Sequence, residues 1–268
     1  MTISVAMINY NNGDFLKTSI ESVLAQSRLP DELVICDDGS TDNSWEMAQE
    51  FQKHHPFIKL FRNPVNLGAS GNRDKAIRMC TSQYVINMDG DDWFEDDVIE
   101  KTLALLCSHP DAFVISSFHM ADNDRGVLDT LDTRPFCQAS HWRQLYRITA
   151  RKRGIPGNQF AFSKALYERL GGLDTGLRMY EDWDWQIRAV LARVPWLHTG
   201  LVGYSYRKSG QGISQINQRK HMRYRLKVMV RNLGRSGFHP VAVWGFLSLF
   251  VIKGFKYLSG TASPLGYN

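Results

Sequence analysis

The chain has 268 residues, 43% hydrophobic and 22% charged, with a net charge of +5; this is the composition of a folded soluble protein with ample length for a core. Its four cysteines, Cys36, Cys80, Cys107 and Cys137, are widely spaced without CxxC pairing, which argues against zinc and suits reduced thiols in a cytoplasmic protein. The opening Met1-Thr2-Ile3-Ser4-Val5 has neither a basic n-region nor a long apolar stretch, so no signal peptide is expected.

The first hundred residues alternate strand and helix signals. Ile3 to Ile8 reads as a strand, Asp14 to Gln26 as a helix, Leu33 to Cys36 as a second strand and Ser44 to Lys53 as a second helix. Ile58 to Phe61, Gly68 to Met79, Tyr84 to Met88 and Asp96 to Leu106 continue the alternation. Such an order predicts an α/β fold with a mostly parallel central sheet, flanked by helices and joined by right-handed crossovers. From Ala112 the pattern loosens. A strand is expected at Phe113 to Ser117, a loop around Asp122, Asp124 and Gly126, and a helix from Ser140 to about Thr149. A strand at Asn158 to Phe162, a helix stopping at Gly171-Gly172 and another from about Glu181 to Leu191 follow.

The C-terminal segment differs in charge. Up to Asp184 there are 19 Lys and Arg against 27 Asp and Glu; after it there are 13 Lys and Arg and no acidic residue. Ile216 to Asn232 reads as a basic helix, and Val241 to Ile252 as an apolar run too short to span a bilayer, which needs about 20 residues. That run suits either a helix packed on the core or one lying in a membrane interface, the basic neighbour favouring an anionic membrane surface. A solvated basic face balancing an acidic body is the plainer alternative. The basic helix carries no recognisable nucleic-acid-binding motif, so no nucleic acid is expected as a partner.

Two acidic clusters follow apolar runs: Asp37-Asp38 after Leu33 to Cys36, and Asp89-Gly90-Asp91-Asp92 after Tyr84 to Met88. In an open α/β sheet both would face one crevice beyond the strand ends. Carboxylates gathered there call for a cation or a hydroxyl-rich ligand, and a hard divalent ion commonly bridges carboxylates to phosphates. An Asp-Gly turn and a helix N-cap account for Gly39, Ser40 and Asp42 but leave the doubled Asp37-Asp38 unexplained.

The ordered set Ser4 to Asn11, Asp37 to Asp42, Asn66-Leu67-Gly68 with Arg73, and Asp89 to Asp92 resembles the family 2 glycosyltransferases of GT-A fold. Gly171-Gly172-Leu173-Asp174 followed by Glu181-Asp182 is similar to that family's acceptor-side signature. The resemblance covers about the first 210 residues. It implies a glycosyltransferase domain over 1–210, with a nucleotide-sugar half (1–92) and an acceptor half (93–210), before a basic amphipathic segment at 211–268.

By position, the resemblance implies that Ile8 and Tyr10 hold the base of a nucleotide-sugar, UDP-sugar being favoured, and that Asp38 hydrogen-bonds that base. Arg73 would approach the base or diphosphate, Asp89 the ribose or sugar, and Asp91 would coordinate Mn²⁺ or Mg²⁺. Asp182 would be the general base of an inverting transfer to a hydroxyl of a glycan or lipid-linked glycan. Glu181, Trp183, Arg207 and Lys208 are candidate diphosphate or acceptor contacts. The sequence departs from the pattern in having no His after Tyr206-Arg207, and in placing Asn72 and Asp74 beside Arg73. Trp183 and Trp185 alternate on a helix, so only one is expected to face the core. A nucleotidyltransferase is disfavoured because Asn9 to Gly13 lacks a basic residue. A non-catalytic, membrane-associated binding or assembly protein of glycan synthesis is the other alternative; on either reading the chain is expected in the cytoplasm or peripheral on the cytoplasmic face of a membrane.

Overall fold

The computed structural model describes residues 1–208 and 218–258. Strands β1 (Ile3–Asn9), β2 (Glu32–Asp37), β3 (Ile58–Arg62) and β4 (Tyr84–Asp89) lie parallel in the order β3-β2-β1-β4. Helices α1 (Gly13–Leu24), α2 (Ser44–His54) and α3 (Gly68–Met79) connect them. These strands read as continuous apolar runs because both faces are covered. Val5, Met7, Leu33, Ile35 and Ile86 pack on Leu16, Ile20 and Ala48 of α1 and α2. Ala6, Val34, Cys36 and Val85 join the opposite core with Ala76 and Ile77 of α3.

Beyond β4 come β5 (Trp93–Phe94), α4 (Val98–Ser108), β6 (Phe113–Ala121), β7 (Val127–Leu131), α5 (Arg134–Cys137) and α6 (His141–Thr149). Then follow β8 (Ala161–Ser163), α7 (Lys164–Arg169), α8 (Glu181–Leu191), β9 (Trp196–Arg207), α9 (Gln218–Arg235) and α10 (Pro240–Leu258). Among the described residues the sheet order is β3-β2-β1-β4-β8-β6-β9-β5, with β7 paired to β6. The sheet is therefore parallel through β4 and mixed after it. β8 runs antiparallel to both β4 and β6, and β9 parallel to β6. The turn at Asp122 to Gly126 is too short for a parallel crossover and folds β7 back on β6. The helix expected from Asp96 starts two residues later, after Asp97 takes a left-handed φ of 62°.

Helix α8 is buried on both sides, so both Trp183 and Trp185 are sequestered, against the expectation that one would be exposed. Trp185 packs edge-on to Phe113, Phe162 and Tyr167. Trp183 turns the other way and meets Phe246 of α10, while its Nε1 donates to the Ile148 carbonyl at 2.7 Å. The helix acquires its second covered face from α9 and α10, which contribute Val228, Ala242, Phe246 and Leu249 to the same core. Asp184, fully buried, accepts from Arg188 within α8 and from Asn232 and Arg235 of α9, each at 2.8 Å.

Among the described residues, the other faces of α9 and α10 carry exposed side chains. Met222, Leu226 and Val230 follow one another at four-residue spacing on α9 and are exposed, as are Trp244 and Leu247 on α10. None of the described helices is long and apolar enough to cross a membrane. The expected start of the basic helix at Ile216 lies outside the described residues.

Candidate active site at the carboxyl edge of the sheet

Strand register brings the two acidic clusters to either side of β1. Asn9 stands level with Asp37 of β2, and Ile8 level with Asp89 of β4. Asp37 is turned inward to shape its loop. Its Oδ1 accepts from the amides of Gly39 and Ser40, and its Oδ2 from Ser40 Oγ and Asn9 Nδ2. Asp38 is also buried. Its Oδ1 accepts from Leu67 N and Asn63 Nδ2, both at 2.8 Å, and its Oδ2 from Gly68 N at 2.9 Å, at the start of α3. The doubled aspartate thus fastens two loops. Asn72 extends this network by donating to the Cys36 carbonyl at 2.8 Å and accepting from Asn63 at 2.9 Å. Asp74 accepts from Tyr167 Oη of α7 at 2.6 Å and pairs with Arg78, so both departures beside Arg73 tie α3 to its neighbours.

Asp89, Asp91 and Asp92 offer carboxylate oxygens within 4.8 Å of one another. Gly90 lets this loop lie against β1: a Cβ there would stand 2.9 Å from the Ile8 carbonyl oxygen, to which the Gly90 amide donates at 2.8 Å. Asp92 is buried, accepting from the Arg207 amide at 2.9 Å and from Asn158 Nδ2 at 3.1 Å. Asn158 also donates to Asp89 at 2.8 Å. Burial, then repulsion from Asp89, pushes the Asp91 carboxyl up to about 6; burial with repulsion from both neighbours raises Asp92 well above its usual value. An all-oxygen donor set whose negative charges are crowded and desolvated fits a hard divalent cation such as Mn²⁺ or Mg²⁺.

Arg73 connects this cluster to α8. It is 4% exposed, with Nη1 at 2.6 Å from Asp89 Oδ1 and Nε at 3.3 Å from Glu181 Oε1. Burial works against its charge, but Asp89 and Glu181 outweigh that and hold it firmly protonated. Burial pushes Glu181 up to about 7, opposed by Arg73 and reinforced by Asp182. Asp182 is half-buried in the first turn of α8, close enough for its charge to act on both. The approach to this turn is set by Gly171 and Gly172, whose φ angles of 77° and 64° close α7. The Gly172 carbonyl accepts from Arg188 of α8 at 2.7 Å.

Of the other expected residues, Tyr10 is 47% exposed beside the loop that Ser40 and Asn11 hold together, and Ile8 is half-buried. Lys208 is half-buried and donates its amide to the Ala121 carbonyl. The three other expected contacts, Trp183, Glu181 and Arg207, are buried. Trp183 packs under α10, and Glu181 is turned to Arg73. Arg207 is buried behind the acidic loop, donating to the Asp91 and Asn123 carbonyls between the rings of Phe15 and Trp93. His198 bonds Ser117 and lies outside the acidic cluster. Asn158 is the site residue the sequence did not single out.

The profile of glycosyl transferase family 2 matches residues 4–170. The chain belongs to this family. It is 32% identical over 127 residues to TuaG of Bacillus subtilis (strain 168), assigned by its name to teichuronic acid biosynthesis, covering 47% of this chain and 50% of that one. It is 29% identical over 122 residues to WfgD of Escherichia coli, named as a UDP-Glc:α-D-GlcNAc-diphosphoundecaprenol β-1,3-glucosyltransferase, covering 46% and 47%. The chain thus spans about half the length of these relatives. Among solved structures it superposes on S. aureus TarS in complex with UDP-GlcNAc with a TM-score of 0.66 at 19% identity, covering 87% of this chain and 67% of that one. GalNAc-T7 with UDP, GalNAc and Mn²⁺ gives a TM-score of 0.63 at 15% identity, covering 79% and 44%. These likenesses establish the GT-A fold.

Proposed function

We propose that the protein transfers a sugar, with inversion, from a nucleotide-diphosphate donor to a hydroxyl of a glycan or lipid-linked glycan. The observation carrying this reading is Arg73, whose one guanidinium joins Asp89 of the acidic cluster to Glu181 beside Asp182. A donor's diphosphate at the cluster and an acceptor hydroxyl at the first turn of α8 would then share one cleft. A UDP-sugar is the favoured donor, supported by the UDP-GlcNAc bound to TarS.

Asp91, with Asp89, would hold Mn²⁺ or Mg²⁺, which supplies charge neutralisation for the departing nucleoside diphosphate. Asp92 and Asn158 position this loop, and Tyr10 offers an exposed ring for the base. Asp182 would accept the proton of the acceptor hydroxyl as it attacks the anomeric carbon opposite the leaving diphosphate. Attack from that side inverts the configuration.

The acceptor reading draws on the C-terminal helices. The exposed stripe Met222, Leu226 and Val230 is interleaved with exposed Arg223 and Lys227, a pattern suited to lying on an anionic membrane from its cytoplasmic face. WfgD is named for a lipid-linked acceptor of this kind.

Calorimetric titration of UDP, GDP and dTDP, with and without Mn²⁺, tests the donor site. Mn²⁺-dependent binding of one diphosphate, lost in Asp91→Asn, is expected; no binding of any would overturn the reading. For the membrane, Leu226→Asp should abolish flotation with phosphatidylglycerol vesicles. Flotation equal to that of the parent protein would remove the acceptor argument.

A further inference from the structure

Asp89 is tied to α8 twice, once through each of its carboxylate oxygens. Oδ1 accepts from Arg73, whose Nε reaches Glu181 at the start of the helix at 3.3 Å. Oδ2 accepts from Asn158 Nδ2 at 2.8 Å, and the same nitrogen donates to Asp92 Oδ2 at 3.1 Å. An ionised carboxylate only accepts, so the two N–H bonds of one amide suit a pair of carboxylates where its oxygen would not. The peptide that carries Asn158 then leads back to α8: Gln186 Nε2 donates to the Gly157 carbonyl at 2.7 Å. Gln186 follows Glu181 by five residues in the helix, about 7.5 Å along its axis.

The path is closely packed. Gln186 is 2% exposed and Gly157 is buried. A Cβ on Gly157 would stand 1.9 Å from Tyr204 Oη of β9, so a side chain there would have to displace a buried ring. The Asn158 carbonyl accepts from Asn87 Nδ2 of β4, and the Oδ1 of Asn87 takes the Phe160 amide at 2.9 Å. With the backbone held on both sides, the Asn158 amide has a set reach to the acidic loop. The need to satisfy a buried carbonyl accounts for Gln186 alone. It leaves unexplained why that carbonyl belongs to the peptide from which Asn158 reaches two carboxylates.

We infer that Asn158 and Gln186 are positioning residues which, through the Gly157 carbonyl, form a strut between the cation-binding loop and the helix that carries Asp182. This rests on the metal-assisted transferase reading above and gives its two halves a mechanical link. Arg73 is the strut's counterpart on the other oxygen of Asp89. Together the two ties fix the spacing of Asp89 and Asp182, and with it the spacing of the departing diphosphate and the attacking hydroxyl.

The test uses the full chain with UDP, titrated with Mn²⁺ and read by calorimetry and by the electron paramagnetic resonance signal of the free ion. Asn158→Ala should weaken Mn²⁺ binding by about tenfold, and Gln186→Met, which keeps length but cannot donate, by about threefold. The double variant should bind no more weakly than Asn158→Ala, because Gln186 acts through Asn158. Ile187→Val, a buried neighbour on the same helix, should leave Mn²⁺ affinity unchanged. Indifference to Gln186→Met, effects of the two substitutions that multiply, or an equal loss in Ile187→Val would each overturn the strut. Should the variants fail to fold, the side-chain amide resonance of Gln186 in the unaltered protein decides. It should shift on adding Mg²⁺ with UDP, and an unmoved signal overturns the strut. Failure of the parent protein to take up Mn²⁺ with UDP would sink the metal reading and the strut with it, whereas uptake indifferent to Gln186 would sink the strut alone.

Discussion

Arg73 of α3 and Asp89 of β4 approach to 2.6 Å, and the same guanidinium reaches Glu181 of α8 at 3.3 Å. Two carboxylates from distant parts of the chain are therefore compensated by one buried cation. Removing it leaves Glu181 buried without a counter-charge. Arg73→Ala should lower unfolding free energy by about 3–5 kcal/mol, read from urea denaturation. Adding Glu181→Gln should recover part of that loss, and strict additivity of the two changes would contradict the coupling.

The acidic loop should make cation binding depend on pH. With the Asp91 carboxyl at about 6 in the folded protein against a usual 3.8, the folded chain binds more protons than the unfolded chain between those values. Stability of the metal-free protein therefore falls as pH rises through this window, and a bound cation compensates the charge that develops. Mn²⁺ should raise the melting temperature by several degrees at about pH 7.5 and much less at about pH 5. An equal rise at both values would count against Asp91 as a ligand.

Asp182→Asn removes the proposed proton acceptor and little volume. Turnover should fall by about 10²–10⁴-fold, with UDP affinity within about twofold of the parent protein. Turnover left intact would place the base elsewhere.

Helix α10 has two faces with different expected behaviour. Phe246 is 1% exposed against Trp183, so Phe246→Ala should cost about 3–5 kcal/mol on urea denaturation. Trp244 is 64% exposed, and Trp244→Ser should change stability by less than about 0.5 kcal/mol while reducing vesicle flotation. A large stability loss in the second variant would mean that this face is covered too.

The first half of the fold was legible because β1 to β4 are apolar runs separated by amphipathic helices; α3 begins and ends where the sequence put it. β9 escaped notice because Gly200 and Gly203 interrupt its alternation and its register against β6 shifts twice. β7 is a hairpin arm, nearly all exposed, and carries little apolar signal. Strand-end aspartates announced the acidic loop. What they could not announce was which of them serve the backbone: Asp37 and Asp38 fasten loops, a role fixed by Ser40, Leu67 and Gly68 reaching back to them. Asn158 acquires its place only when β8 is laid beside β4, some seventy residues away in sequence. The burial of Trp183 likewise depends on a helix that follows it by more than fifty residues.

Asp184 is held by Arg188 from its own helix and by Asn232 and Arg235 from α9. A chain cut before α9 would lose two of those three partners, bare the Trp183 ring, and leave a poorly compensated carboxylate two residues from Asp182. Such a truncation would disturb the proposed reaction centre whatever surface α9 rests on. Conversely, a force that tilts α9 would be transmitted through Asp184 to the turn that carries Asp182, so on the proposed reading whatever the stripe lies on would also bear on the geometry of transfer.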